Sequence, residues 1–399
     1  MSKNRITQLA WIARQMRRTP LAWLQLTYRT GRFCIAAMGI AFSVMLIFVQ
    51  LGLSSALYIS NTVLHQHLRG DIVLVSSETE TLIRVREFPL RRLYQALGFP
   101  GVASVNPVYY HIRNFKNLAN GRARGIAVFG IDPLDSPFEF PDLDQQLDTI
   151  KLTDVVLFDR NSRPEYGPVA EDFEAGRPIA AEILGHRIKI GGVVDFTGPS
   201  FGIDGSIITS DYNFHRFFGD LDPENLALGL ITLKPDANLE TVVKILRQQL
   251  PQDVQVLTIE DYVNLEVDYW QRTTPIGFVF SMGVIIGFLV GVFIVYQILN
   301  GEISDHISDY AILKSKGYPS RYFFVMVLQE SLILSISGYI PGYFLARLLY
   351  AIVGRATNIP VVMETQRSLL MLALTIVMCL ISGAIVVNKL QEADPADLL

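Results

Sequence analysis

Cysteine is almost absent from these 399 residues: Cys34 and Cys379 are the only two, and both fall inside long apolar runs. They can build neither a metal cluster nor a disulfide framework. Charge is scarce as well, at 18% of residues against 50% hydrophobic, with a mean hydropathy of +0.32. That is low for a soluble chain of this size. The sequence G-x-x-x-x-G-K-[ST] does not occur, and neither do H-E-x-x-H, G-x-S-x-G or C-x-x-C. The chain therefore has no P-loop of its own and no motif of the commonest hydrolases.

Long apolar stretches are what it does have, one near the N-terminus and three in the last third, with about 210 mixed residues between. A bilayer core needs roughly 20 apolar residues at about 1.5 Å rise each. Residues 33–59, 275–299 and 369–387 contain no Asp, Glu, Lys or Arg and qualify at once. The fourth stretch, 322–353, carries Glu330, Arg347 and Pro341-Gly342. As one straight helix it would run to about 48 Å, so it must tilt, kink or leave the membrane at one end. Residues 1–32 hold Lys3, Arg5, Arg14, Arg17, Arg18, Arg29 and Arg32 with no acidic residue, which places the N-terminus in the cytoplasm. Four spans then put residues 60–272 outside, the loop 300–321 inside and the tail 388–399 inside. Within 1–32, Ile6, Leu9, Ala10, Ala13 and Met16 recur at helical spacing among basic residues, as in an amphipathic helix on the membrane face. The first span is too long for a signal-peptide core and reads as an uncleaved anchor.

Alternation and turn signals order the external region. Strands are expected at 72–76, 105–115, 126–131, 188–196, 228–233 and 254–257, and helices at 90–97, 212–218 and 239–250. The first and last of these look like two halves of one α/β unit, with an inserted subdomain at about 132–210. Thr258 and Asp261 have capping-box form, so a helix should start there and run through Tyr269-Trp270 toward the second span. Residues 60–69 would descend from the first span in the same way, giving two stalks. His65 and His67 form an H-x-H pair, but i and i+2 do not share a helix face, and an exposed stalk is the expectation. The acidic residues Glu171, Asp172 and Glu174 read as a solvated helix face. Asp159-Arg160-Asn161-Ser162-Arg163 reads as a turn held by an ion pair.

Gly283, Gly287 and Gly291 form two overlapping GxxxG steps, a stripe that lets helix backbones approach closely. It could face a second copy of the chain or the chain's own helices. Glu330 is an intramembrane carboxyl that would be costly unpaired. It reads either as a proton or substrate relay or, more simply, as a polar contact with Lys or Arg near the inner interface. In the inner loop, Glu302, Asp305 and Asp309 share a helical side with His306, while Ile303, Tyr310, Ile312 and Leu313 form an apolar surface ahead of Lys314, Lys316 and the Gly317-Tyr318-Pro319 stop. This amphipathic helix is one that a soluble partner would cover.

These residues carry a resemblance. One span, a large external domain and three spans resemble the FtsX/MacB-type ABC transporter permeases, and HISDYAILKSKGYPSRY is similar to that family's coupling helix. QLTYRTGRFCIAAMGIAFSV resembles its basic entry to the first span, and KLQEADPADLL its Pro-acidic-Leu ending. Within the family, GDIVLVSS, FPLRRLYQALGF, VVLFDRNSRPEYGP, IITSDYNF and YWQRTTPIGFVFSMGVIIGFLVGVFIVYQIL most resemble DevC-like permeases of cyanobacteria. The resemblance implies an α-helical membrane protein with four transmembrane helices, one plus three, and a large MacB-like α/β extracytoplasmic domain. It also implies a homodimer with DevA-like ATPase subunits, a DevB-like periplasmic adaptor and a TolC-like outer-membrane duct, exporting lipid or glycolipid, with no nucleic-acid partner. ATP and Mg would bind the ATPase and this chain would bind no cofactor. Contacts to that ATPase are expected from Glu302, Asp305, His306, Asp309, Tyr310, Ile312, Leu313, Lys314, Lys316 and Gly317. An FtsX-like subunit that activates a cell-wall hydrolase and a membrane-anchored enzyme with an external active site are the alternatives.

Overall fold

The structure is a computed structural model that describes residues 28, 30–305, 307 and 319–392. The described residues fall into two compact units. One holds the residues up to Ser54 with Val279–Ile352 and those from Val361 onward; the other holds Ser55–Phe278 with Val353–Pro360.

Helix α1 runs from Thr30 to Gln66, 37 residues without a break, and contributes to both units. At about 1.5 Å per residue it is roughly 55 Å long. The α/β unit continues with β1 (Ile72–Ser76), β2 (Phe88–Pro89), α2 (Leu90–Leu97), β3 (Val102–Asn117) and β4 (Ala123–Ile131). Then come α3 (Pro141–Asp144), β5 (Val155–Asp159), α4 (Val169–Glu174), β6 (Ala180–Ile183), β7 (His186–Val194) and β8 (Ser206–Ser210). The remainder is α5 (Asp211–Phe217), β9 (Asn225–Leu226), β10 (Leu228–Leu233), α6 (Leu239–Gln249), β11 (Val254–Thr258) and α7 (Ile259–Asp268), which passes into a π-helical turn at Tyr269–Thr273.

Nine of these strands form one sheet in the order β11-β1-β10-β3-β4-β8-β5-β7-β6, and β6 also pairs with β3. The segment 132–210 therefore does not stand apart. Its strands continue the sheet from β4 and return to β3, closing a ring of six: β3, β4, β8, β5, β7 and β6. Strand β3 makes this possible by changing partners along its 16 residues. Val102 to Val108 pair with β10, Tyr109 to Lys116 with β4, and Phe115 to Asn117 also with β6 on the opposite edge. A closed ring leaves no free edge.

Every residue of β1, β5 and β8 is buried, which explains why β1 and β5 read as short apolar runs and why none of the three alternates. One core face holds Phe115, Phe158 and Tyr166, the latter two rings standing 5.9 and 5.7 Å from Phe115. The other holds Phe129, Phe138 and Phe196 with Leu64 and Leu68 from the end of α1. Burying one such ring contributes roughly 1.5–3 kcal/mol. Turn chemistry holds the periphery. The Thr258 hydroxyl accepts the Asp261 N–H at 3.0 Å and Asp261 returns the bond, completing the capping box of α7. The tight Leu184-Gly185 turn between β6 and β7 places both residues at positive φ, 50° and 84°, a geometry that Gly adopts freely and Leu does not.

The other unit is helical: the first part of α1, then α8 (Pro275–Asp305), α9 (Ser320–Thr357) and α10 (Thr365–Glu392). Among the described residues, four helices are long and apolar enough to cross a membrane: Thr30–Gln66, Pro275–Asp305, Phe324–Thr357 and Thr365–Asn388. Helix α9 continues through Pro341.

Candidate functional site

The helical unit is assembled around α1, by contacts that only small residues allow. A Cβ on Gly287 would stand 2.8 Å from Ile47, one on Gly283 would overlap Gln50, and one on Gly291 would meet Ser43 at 3.2 Å and collide with Met378. The glycine stripe of α8 thus faces helices of its own chain. Small residues drive such packing because lipid offers no hydrophobic force between helices.

A second stripe lies on α9. Gly338 and Gly342 would place Cβ atoms 3.3 Å from the Ala37 carbonyl oxygen and 2.9 Å from that of Ala41. Four and eight residues on, Ala346 is fully buried and the Tyr350 hydroxyl donates to the carbonyl of Phe48. The spacing Gly338, Gly342, Ala346 is the same small-xxx-small signal as in α8, and reading it in the sequence would have found this seam. Helix α10 is tied in by Ser382, whose hydroxyl donates to the Val292 carbonyl at 2.8 Å. At the other end of α1, Arg32 pairs with Asp305 at the end of α8.

Glu330 lies on α9 at 0% exposure, and among the described residues neither carboxylate oxygen has a hydrogen-bond partner. The expected Lys or Arg contact is not made: among the described residues no cation reaches it. Glu302 and Asp305 belong to the last turns of α8, which runs past the expected span end at residue 299. His306, Asp309, Tyr310, Ile312, Leu313, Lys314, Lys316 and Gly317 lie outside the described residues, as do 1–27 and the Ala393–Leu399 ending.

In the α/β unit the two stalk segments meet at Glu266 of α7. Its carboxylate is 2% exposed and accepts from the Thr81 hydroxyl (2.8 Å), the Leu82 N–H (2.9 Å) and Trp270 Nε1–H (2.8 Å). Burial alone would push this carboxyl up, but His65 and the Leu82 and Thr81 donors outweigh it and hold it below the usual range. His65 of α1 is buried, not exposed as the stalk expectation had it. α1 continues to Gln66 and packs its last turns into the domain, where the His65 ring lies 4.3 Å from Tyr262. Its Nε2 is 3.5 Å from Glu266 Oε2, long for a hydrogen bond. His67 stacks on Phe140 at 4.8 Å. Beside this joint a cavity leaves about 20 Å³ free, room for one water, among Ser60, Asn61, Ser206 and Glu266.

The Asp159 to Arg163 segment is a turn held by charge. Asp159, fully buried, accepts the backbone N–H groups of Asn161 (3.1 Å), Phe196 (3.3 Å) and Gly198 (2.8 Å). Burial outweighs these donors and pushes its carboxyl up to about 6. Arg160 pairs with Glu174 and Asp195, and Arg163 with Asp204 at 3.0 Å. Ser162 Oγ accepts the Ser206 N–H. Among the described residues no group of His, Cys, Asp and Glu could hold a metal ion.

Residues 281–395, which cover most of α8 and all of α9 and α10, match the family model described as FtsX-like permease C-terminal. No curated protein matches the chain. Among solved structures, the periplasmic region of MacB from Actinobacillus actinomycetemcomitans is similar at 9% identity, covering 49% of this chain and 91% of that one, with a TM-score of 0.33. The extracellular domain of the noncanonic ABC-type transporter YknZ from Gram-positive bacteria follows at 10% identity, 48% and 100% coverage and a TM-score of 0.30. A domain of a putative permease protein from Porphyromonas gingivalis gives 11% identity, 48% and 89% coverage and 0.29.

Proposed function

We infer that the chain is the permease subunit of an ABC-type machine, carrying ATP-driven motion from a separate ATPase to an external α/β domain. The observation that carries this inference is the FtsX-like match over residues 281–395. Those residues include the inner segment between α8 and α9 where an ATPase would dock. Two further features support it: α1 is one helix from the bundle into the α/β unit, and both glycine stripes grip it. A helix held this tightly would move with the bundle.

In finer detail, the machine is a DevC-like exporter: a permease homodimer in the plasma membrane with both termini cytoplasmic. It works with a DevA-like ATPase that binds ATP and Mg, a DevB-like adaptor and a TolC-like duct, and it exports glycolipid. This chain performs no catalysis. Motif similarity over nearly the whole sequence supports the assignment. Asp309→Lys together with Lys314→Glu is expected to abolish co-purification of the ATPase and its stimulation by the permease. Unchanged binding and hydrolysis would refute the docking segment. Accumulation of unexported lipid in a deletion strain separates export from activation of a cell-wall hydrolase.

A further inference from the structure

Glu330 plays no part in the scheme above. It is enclosed on α9 with no donor for either oxygen among the described residues, and Met326, Val327 and Leu334, about one turn away along the helix, are buried too. Its flanking Ser331 turns its hydroxyl away, to the carbonyl of Val327. The charged group acting on Glu330 from a neighbouring helix is Glu302 of α8, which has the same sign. Nothing among the described residues compensates an ionised carboxylate there. A carboxyl withdrawn from water without a partner neutralises itself by keeping its proton. If the position served packing alone, an apolar residue of similar volume would fill it at lower cost. What a carboxyl adds is the ability to exchange a proton.

We propose that Glu330 is a proton-binding site of the helical unit, occupied in the enclosed arrangement and emptied when the helices part. On release the O–H bond breaks, its electron pair stays on the carboxylate and the proton passes to admitted water. The site's ligand is the proton itself, and its gate is the packing around α9.

The test uses the full-length chain in lipid nanodiscs at neutral pH, comparing infrared spectra of the native protein and Glu330→Gln. A carbonyl band of a protonated acid is expected in the native protein, shifted by deuterium exchange, missing in the variant and lost on unfolding in dodecyl sulfate at the same pH. Absence of that band from the native protein overturns the proposal. A second readout is the adduct with dicyclohexylcarbodiimide, which adds to protonated carboxyls in apolar surroundings. Mass spectrometry should find it on Glu330 at least about tenfold faster than on the exposed Glu364. Equal or slower labelling of Glu330 counts against the site. Both readouts are independent of any ATPase or cargo.

Discussion

Gly342 lies so close to α1 that a methyl group in place of its hydrogen would stand 2.9 Å from the carbonyl oxygen of Ala41. Backbone cannot swing aside as a side chain can, so the two helices would have to separate. Gly342→Ala is expected to destabilise the protein despite the roughly 1 kcal/mol by which Ala favours a helix over Gly. Gly342→Leu should cost about 1–3 kcal/mol or more by overpacking. Gly301→Ala is the control, because no atom of the described residues lies within 4 Å of its Cβ position. Thermal unfolding in detergent should rank Gly301→Ala at or above the native protein and both Gly342 variants below it.

Removing the carboxylate of Glu266 leaves the Leu82 N–H, the Trp270 indole N–H and the Thr81 hydroxyl without their acceptor. Each unsatisfied buried group costs roughly 1–3 kcal/mol. Glu266→Ala should therefore be among the most destabilising substitutions in the α/β unit, with Glu266→Gln milder because one oxygen remains. Because this carboxyl is held below its usual range, its contribution is present above the unfolded-state value and lost as pH falls through the folded one. Trp270 fluorescence followed during acid unfolding checks both the ranking and the direction.

Asp159 titrates in the opposite sense. Its carboxyl is pushed up to about 6 from 3.8, so the folded state holds the proton more tightly than the unfolded chain. Its contribution is greatest below about 4 and declines as pH rises through about 6, by roughly 3 kcal/mol in all. Relative to Asp159→Asn, the native protein should lose stability between those pH values and hold a constant difference above about 7. Parallel melting curves across the range would overturn the assignment. Asp159→Ala, which strands three backbone N–H groups, should be destabilised throughout.

The Arg32 and Asp305 pair is a different case. Their side chains are 56% and 33% exposed, and water screens such pairs to about 0–1 kcal/mol. Arg32→Ala should shift thermal stability by no more than that. A larger loss, restored by exchanging the two charges, would show that the pair fixes the end of α8.

Much of this architecture was legible in local pattern. Strand β1 falls on the short apolar run that marks it and helix α2 on the residues its periodicity marks, and the Thr258 and Asp261 pair marks the start of α7. What local pattern lacked was the partner. Strands β5 and β8 are buried on both faces and show no alternation. The pairing of Phe115 with Ile183 joins residues 68 apart in sequence, and no short-range signal specifies it. The stripe on α9 is harder to read because Pro341 interrupts it and the charged Glu330 and Arg347 flank it. For Glu330 the sequence showed the expense of the residue but not whether it is paired.

The dual pairing of β3 bears on how this chain can be engineered. One continuous strand serves as wall to the ring and as neighbour to β10, so there is no seam at which the ring could be lifted out. Excising residues 132–210 would expose the edges of β3 and β4 as adhesive strands. A chimera that grafts only that segment onto another scaffold would inherit an unfinished cylinder. The smallest transplantable module therefore includes β3 and β4.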